Sequence, residues 1–319
     1  MPPNVSGAEA VSVHVPDQLV ASHVRYFGDA GRRWVDALPR LAAQCLERWH
    51  LRLDGPATFG AVALVLPVLG ADGTPAVLKL QPVDDETGGE AAALRSWAGR
   101  GAVRLLEHDD ESGSMVLERL DATRPLATMP DDQSAVRVIA ELLVRLNAVT
   151  APPGLRRLTD IAVRMLELAP TALRALPDPD ERQLLEVCAA RVRELLDEPV
   201  QDRLLHWDLH YDNVLASTDP AQPWLAIDPK PLSGDPGFEL LPALWNRWGD
   251  ISATGDITGA VRRRFDLMTE VLNLDRERGA GWTLGRVLQN AGWDLTRLGE
   301  HRLNPAHRAI AEALVARRR

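Results

Sequence analysis

The apolar residues of this chain turn from mostly strand-like to largely helical spacing near residue 120, and that change restricts the folds open to it. Before it, short apolar runs alternate with turn signals. Ala61-Val62-Ala63-Leu64-Val65-Leu66 and Ala76-Val77-Leu78-Lys79-Leu80 read as strands joined through Asp72-Gly73, a hairpin turn pair. Residues 103–108 and 114–120 read as a second hairpin, turned through residues 109–113. Helical spacing enters this part twice. Over 31–50, Trp34, Leu38, Leu41, Ala42, Cys45, Leu46 and Trp49 form a stripe, and a second helix is expected over 85–98, ended by Gly99.

Beyond residue 121 the period is mostly helical. Val136, Ile139, Leu142, Leu143, Leu146 and Val149 mark an amphipathic helix that begins near Asp131-Asp132. Further helices are expected over 159–175, 180–197, 238–248, 258–278, 281–291 and 305–317. Extended runs interrupt them at 203–206, 213–216 and 224–228. Sheet first and helices after imply an α+β chain of two lobes. The expected division is a small antiparallel-sheet lobe over 1–120 and a larger, mainly helical lobe over 121–319.

Composition narrows the function classes. With 45% hydrophobic and 25% charged residues, the 319-residue chain has the balance of a soluble globular protein and length enough for a large core. A net charge of −9 argues against nucleic acid or an anionic membrane surface as partner. No apolar stretch approaches the ~20 residues that span a bilayer. The first residues, Met1-Pro2-Pro3-Asn4-Val5-Ser6, lack the basic and apolar regions of a secretory leader. Cys45 and Cys188 are the only cysteines, and both are expected as packed thiols in a reducing cytoplasm. The expected assembly is a monomer or small homo-oligomer.

Of 36 basic residues, only Lys79 and Lys230 are lysine. Arginine is a wide planar fork and lysine a compact point charge, so some sites do not accept the exchange. The strongest chemical signal is Leu205-His206-Trp207-Asp208-Leu209-His210-Tyr211-Asp212-Asn213, followed closely by Ile227-Asp228. An Asp and an Asn five residues apart on a loop, then an Asp closing the next hairpin, is a layout that phosphoryl transfer needs. One carboxylate faces the attacking hydroxyl, while an amide oxygen and a second carboxylate hold Mg²⁺ against the phosphates. Upstream, Lys79 on a strand and Glu90 on the next helix supply an ion pair that orients Lys79 on nucleotide phosphates. Glu86, sharing that face at i, i+4, is the alternative partner. A zinc hydrolase built on His206, Asp208 and His210 fits no common ligand spacing and leaves Lys79 unexplained. A P-loop NTPase is excluded because G-x-x-x-x-G-K-[ST] does not occur.

These residues, with Trp224-Leu225-Ala226-Ile227-Asp228-Pro229 and Gly234-Asp235-Pro236-Gly237-Phe238-Glu239-Leu240, carry a resemblance. The chain resembles the aminoglycoside and hydroxyurea phosphotransferase family of the protein-kinase-like fold, most closely its streptomycin 6-phosphotransferases. The likeness runs from His14-Val15-Pro16-Asp17 to the last helices. It implies a bilobal, cytoplasmic enzyme that uses ATP and Mg²⁺ to phosphorylate a hydroxyl of a cationic aminoglycoside, first of all streptomycin, and so confers antibiotic resistance. Hydroxyurea or another small alcohol is the alternative acceptor. A non-catalytic nucleotide- or aminoglycoside-binding protein is the alternative of another class.

By position, the resemblance makes Asp208 the catalytic base, Asn213 and Asp228 the Mg²⁺ ligands, and Lys79 with Glu90 the nucleotide anchor. Glu118, Arg119 and Leu120 become the hinge whose backbone meets adenine, and His206 a brace for the loop. Gly55-Pro56-Ala57-Thr58-Phe59-Gly60 stands where a phosphate-covering loop belongs, without its glycine pattern, which makes Gly60 a nucleotide-contact candidate. Asp228-Pro229-Lys230 replaces a flexible Asp-Phe-Gly, and Pro229 fixes φ, implying a rigid metal loop. His210 and Lys230 are candidate phosphate contacts, with pairing to Asp235 the other expectation for Lys230. Nine Trp outnumber the six Phe and Tyr, and an indole face suits sugar C–H groups and cations. Asp235, Glu239, Trp245 and Trp293 are therefore the candidate acceptor contacts.

Overall fold

The computed structural model describes residues 13–199 and 201–315. Two compact units form. Unit 1 runs to Ala91 and takes back Arg104–Arg119, while unit 2 holds Ala92–Val103 and the chain from Leu120 onward. Among the described residues each unit has six strands, joined in one sheet in the first and in two small sheets in the second, which holds most of the helices, and the chain is α+β as read.

Unit 1 opens with helix α1 (Asp17–Arg48), kinked at Gly28 with φ 57° and ψ −133°. The helix starts before the expected residue 31 because its early buried face is Leu19, His23 and Gly31, which offers no apolar stripe to read. Strands β1 (Arg52–Leu53), β2 (Thr58–Phe59), β3 (Leu64–Leu69) and β4 (Pro75–Leu80) follow, then α2 (Glu90–Trp97), β5 (Leu105–His108) and β6 (Met115–Glu118). They build an antiparallel sheet in the order β1-β3-β4-β6-β5, with β2 beside β3. The β3–β4 hairpin turns through Gly73, at φ 83°, as its Asp-Gly signal requires. Strand β3 begins three residues later than read, because Gly60 N–H bonds to Ala63 C=O and spends 60–63 on a turn.

The apolar stripe of α1, Leu38, Ala42, Cys45 and Leu46, packs on one sheet face against Leu64, Leu66, Val68, Leu78, Leu80 and Val116. Since strand side chains alternate, Lys79 points to the other face, with its register partner Met115 alongside. Helix α2 is shorter than the expected 85–98. Asp84 Oδ1 accepts the backbone N–H of Glu86 and of Thr87, at 2.8 and 2.9 Å, and this turn takes the place of the first helical turn.

Unit 2 supplies β7 (Asp121–Pro125), β8 (Arg156–Arg157), β9 (Arg203–Leu205), β10 (Val214–Ala216), β11 (Trp224–Ala226) and β12 (Leu232–Gly234). They form two small sheets, β11-β10-β7 and β8-β12-β9. Around them lie α3 (Asp132–Asn147), α4 (Leu158–Ala175), α5 (Pro179–Leu196), α6 (Leu240–Trp245), α7 (Trp248–Ala253), α8 (Ile257–Val271), α9 (Arg276–Arg297) and α10 (Pro305–Val315). Asp131 caps α3 by accepting Ser134 N–H.

Two expected helices divide differently. The run over 238–248 breaks where Arg247 takes the left-handed conformation. The 258–278 run ends at Val271, and Asp275 caps α9 by accepting Arg278 N–H at 2.8 Å. Asp132 ties several elements together. Its carboxylate accepts from Tyr211 Oη (3.1 Å), Arg247 Nη2 (2.9 Å) and Arg264 Nη2 (2.6 Å) and Nε (2.9 Å). Both cysteines are buried free thiols, and burial pushes Cys188 up to about 12. Among the described residues no helix is long and apolar enough to cross a membrane.

Candidate active site

Within unit 1, β4 and the first turn of α2 bring Lys79 and Glu90 together. Lys79 Nζ donates to both carboxylate oxygens, at 2.7 and 2.9 Å, and both residues are buried. Gln81 Nε2 adds a third donor to Glu90, at 2.5 Å. Glu90, the first residue of α2, thus pairs with Lys79 as the sequence reading prefers. Gly60 lies exposed in its turn, with nothing within 4 Å of where a Cβ would stand. At the chain's exit from unit 1, Glu118 Oε1 accepts Arg104 N–H at 2.7 Å. The Arg119 guanidinium is committed to Asp54 Oδ2 (2.6 Å), Ala76 C=O (3.1 Å) and Val68 C=O. Leu120 follows as the half-buried first residue back in unit 2.

In unit 2, residues 206–213 run from the end of β9 to the start of β10, and 227–231 run from β11 to β12. The two segments are laced together. Lys230 N–H donates to His206 C=O at 3.0 Å, and Ile227 N–H donates to Asn213 C=O at 2.9 Å. His206 is fully buried, and desolvation lowers it to about 4, so the ring is neutral. Its Nε2 lies 3.0 Å from Ile227 C=O, an acceptor only, so this nitrogen carries the proton and the ring braces the loop.

Glu239 holds the same loop from behind. Its Oε1 accepts His206 N–H at 2.6 Å and its Oε2 accepts Trp207 N–H at 2.8 Å. Burial pushes this carboxyl up to about 7, against the pull of those two N–H groups and of Arg286. Trp207 itself sits in the left-handed region, at φ 68°.

Asp208 is half-buried, with Lys230 Nζ 3.3 Å from Oδ2. Burial raises its carboxyl, but Lys230 first, then His210 and Arg286, outweigh it and hold the group below its ordinary value. Asp208 is thus an ionised acceptor. His210, two residues on, keeps a partly exposed ring with Nδ1 3.7 Å from Asp212 Oδ2.

The donor set suits Mg²⁺. Asn213 Nδ2 donates to Asp208 C=O at 2.9 Å, which fixes the amide and leaves Oδ1 as its acceptor end. The β10–β11 ladder sets Val214 opposite Ala226, so Asn213 and Asp228 extend the two strands at the same end. Asp228 takes φ 56°, a left-handed turn at the close of that hairpin. An amide oxygen and a carboxylate are hard donors, and Mg²⁺ commonly takes one or two such groups plus substrate phosphates.

The expected acceptor contacts separate. Asp235 is 1% exposed and does not meet Lys230. It caps residues 236–239 by accepting Gly237 N–H at 2.9 Å, and it pairs with Arg278 Nε at 2.6 Å. Glu239 is wholly buried under the loop. Both acids are therefore internal supports and not open contacts. Trp245 and Trp293 are 43% and 58% exposed and keep indole surface open. Three residues at this site were not anticipated. The guanidinium carbons of Arg156 and Arg286 lie over the Trp207 ring, 4.4 and 5.0 Å from its centroid. The sequence signal for Arg286 was its place at i+4 from Trp282, on the buried, glycine-rich face of α9.

Residues 48–297 match the family described as aminoglycoside/hydroxyurea antibiotic resistance kinase. Over 302 residues the chain is 56% identical to a streptomycin 6-kinase of Streptomyces glaucescens, covering 95% of this chain and 97% of that protein. Over 307 residues it is 53% identical to a hydroxyurea phosphotransferase of Kitasatospora aureofaciens, covering 96% and 87%. Among solved structures it resembles a thermostable mutant of an aminoglycoside phosphotransferase in ternary complex with ADP and hygromycin B. That likeness has a TM-score of 0.58 at 14% identity and covers 85% of this chain and 96% of the other. At that identity it speaks for the fold alone, and it agrees with the kinase-like α+β class.

Proposed function

The chain belongs to the aminoglycoside/hydroxyurea antibiotic resistance kinase family, and from that premise we propose that it transfers the γ-phosphoryl group of ATP to a hydroxyl of streptomycin. The reaction would take place in the cytoplasm, with Mg²⁺, and inactivate the antibiotic. The observation that carries this reading is the Asp208 loop: an ionised carboxylate beside Lys230, with Asn213 locked onto its backbone and Asp228 at the adjoining hairpin end.

In this reading Asp208 accepts a hydrogen bond from the acceptor hydroxyl and takes its proton as oxygen attacks phosphorus. The bond from the γ-phosphorus to the bridging oxygen breaks, and ADP leaves. Asn213 Oδ1 and the Asp228 carboxylate would hold Mg²⁺, which supplies charge neutralisation at the phosphates. Lys79, oriented by Glu90, binds α- and β-phosphate oxygens, while the backbone of Glu118 to Leu120 receives adenine and Gly60 approaches the phosphates. Lys230 and His210 flank Asp208 and meet the transferred group. Residues 1–120 thus serve the nucleotide and 121–319 the chemistry and the acceptor. Trp245 and Trp293 offer open indole faces to a cationic sugar.

Hydroxyurea as acceptor is a second reading, supported by the 53% identical phosphotransferase. ADP release measured over streptomycin, other aminoglycosides and hydroxyurea separates the two. Turnover with another compound but none with streptomycin would sink the acceptor assignment. Turnover that survives Asp208→Ala would sink the base.

A further inference from the structure

Trp207 immediately precedes Asp208, and its left-handed φ of 68° is one that a bulky residue keeps only when its surroundings hold it there. The indole is almost wholly buried, yet what lies over it is charged. The guanidinium carbons of Arg156, on β8, and Arg286, on α9, are 4.4 and 5.0 Å from its ring centroid. Arg286 also lies 5.1 Å from the Phe238 centroid, next to the Glu239 that receives the backbone N–H of Trp207. A planar guanidinium stacks on an aromatic face, and the attraction grows when water is excluded. We propose that Arg286 and Arg156 are positioning residues, clamping the Trp207 ring so that the following residue, Asp208, is presented in a fixed direction.

This inference rests on the phosphotransferase reading, since it treats Asp208 as the base. The two cations grip the ring, while Glu239 grips the peptide N–H groups of His206 and Trp207. Together they determine the backbone from which Asp208 projects. The charge of Arg286 acts in the same sense, favouring the ionised forms of both Asp208 and Glu239.

The test compares wild type with Arg286→Met, Arg286→Lys and Trp207→Leu. Misplacing a catalytic group by about 1 Å costs about 100-fold, so Arg286→Met should lose about 10- to 100-fold in kcat. KM for ATP and for streptomycin should change by less than about threefold, the split expected when only the chemical step is disturbed. Arg286→Lys, which keeps the charge but not the plane, should fall between. Adding Arg286→Met to Trp207→Leu should cost little more, because both remove the same contact.

Amide hydrogen exchange supplies a readout that does not need turnover. Exchange at His206 and Trp207 should quicken by about tenfold or more in Arg286→Met, while peptides from α5 keep their protection. A kcat within about twofold of wild type, or unchanged exchange at 206–207, would overturn the clamp. Either result would leave the functional reading standing, because that is tested separately by loss of turnover in Asp208→Ala.

Discussion

Replacing Lys79 by methionine keeps the stem and removes the charge, and so isolates the Lys79–Glu90 pair. The ammonium bridges both Glu90 oxygens, at 2.7 and 2.9 Å, and the two side chains are 6% and 1% exposed. In Lys79→Met the carboxylate keeps the Gln81 amide but loses its cation. Stranding one charge of a buried pair costs about 3–5 kcal/mol. Glu90→Gln takes this carboxylate from the ammonium instead, but the amide oxygen still accepts, so about 2–4 kcal/mol is expected. The double variant leaves two neutral groups. It should therefore be more stable than the summed singles imply, by about 2–4 kcal/mol. Urea unfolding of the four proteins gives the coupling, and additivity to within about 0.5 kcal/mol would refute a closed pair in solution. Lys79→Arg then separates chemistry from folding. It keeps the charge on a wider, planar head, so the chain should still fold while kcat/KM for ATP drops by about 100- to 1,000-fold. Near-normal activity in that variant would defeat the phosphate role of Lys79.

Three further expectations concern unit 2. Asn213→Ala and Asp228→Ala should each lower kcat by about 100-fold or more and raise the Mg²⁺ concentration for half-maximal rate. A Mg²⁺ titration checks this, and an unchanged requirement would contradict the ligand assignment. Burial pushes Asp208 up, and Lys230 leads the charges that bring it below its ordinary value. Lys230→Met should therefore shift the acid limb of the pH–rate profile to higher pH, and a limb that does not move would contradict the pairing. Glu239 is raised by burial from 4.5 to about 7. The folded chain then holds a proton that the unfolded chain has released, so this group's contribution to stability falls as pH rises through that window, by up to about 3 kcal/mol. Glu239→Gln lacks that slope, and urea unfolding curves for the two proteins that run parallel in pH would contradict it.

Much of this molecule was legible because its elements carry their own periodicity. The β3–β4 and β5–β6 hairpins, α3 to α5 and α10 follow from strand alternation, helical stripes and turn residues close in sequence. What was not legible depends either on groups that lie far apart in the chain or on local side-chain turns and caps that interrupt a helical pattern. The buried face of early α1 uses His23 and Gly31, and His23 Nε2 meets Val62 C=O at 2.8 Å. Asp84 forms a turn where helical spacing continues, and Asp275 starts α9 inside an unbroken apolar pattern. In the site, Lys79 with Glu90 and the Asp208 to Asp228 spacing could be placed because phosphoryl transfer constrains them chemically. The sequence offers Asp235 as a partner for Lys230, but Arg278 pairs with Asp235 and Lys230 reaches Asp208. Arg156 and Arg286 were hidden by composition. In a chain where all but two basic residues are arginine, a buried structural cation looks like any other.

In the proposed reaction, Asp208 serves transfer of phosphoryl from ATP to streptomycin. Phosphorus NMR of wild-type and Asp208→Ala protein, each incubated with ATP, Mg²⁺ and streptomycin, tests it most directly. One new phosphate-ester resonance on streptomycin should form in step with ADP in wild type and be absent with Asp208→Ala. Inorganic phosphate in place of the ester, or ester formation that persists without the Asp208 carboxylate, would contradict it.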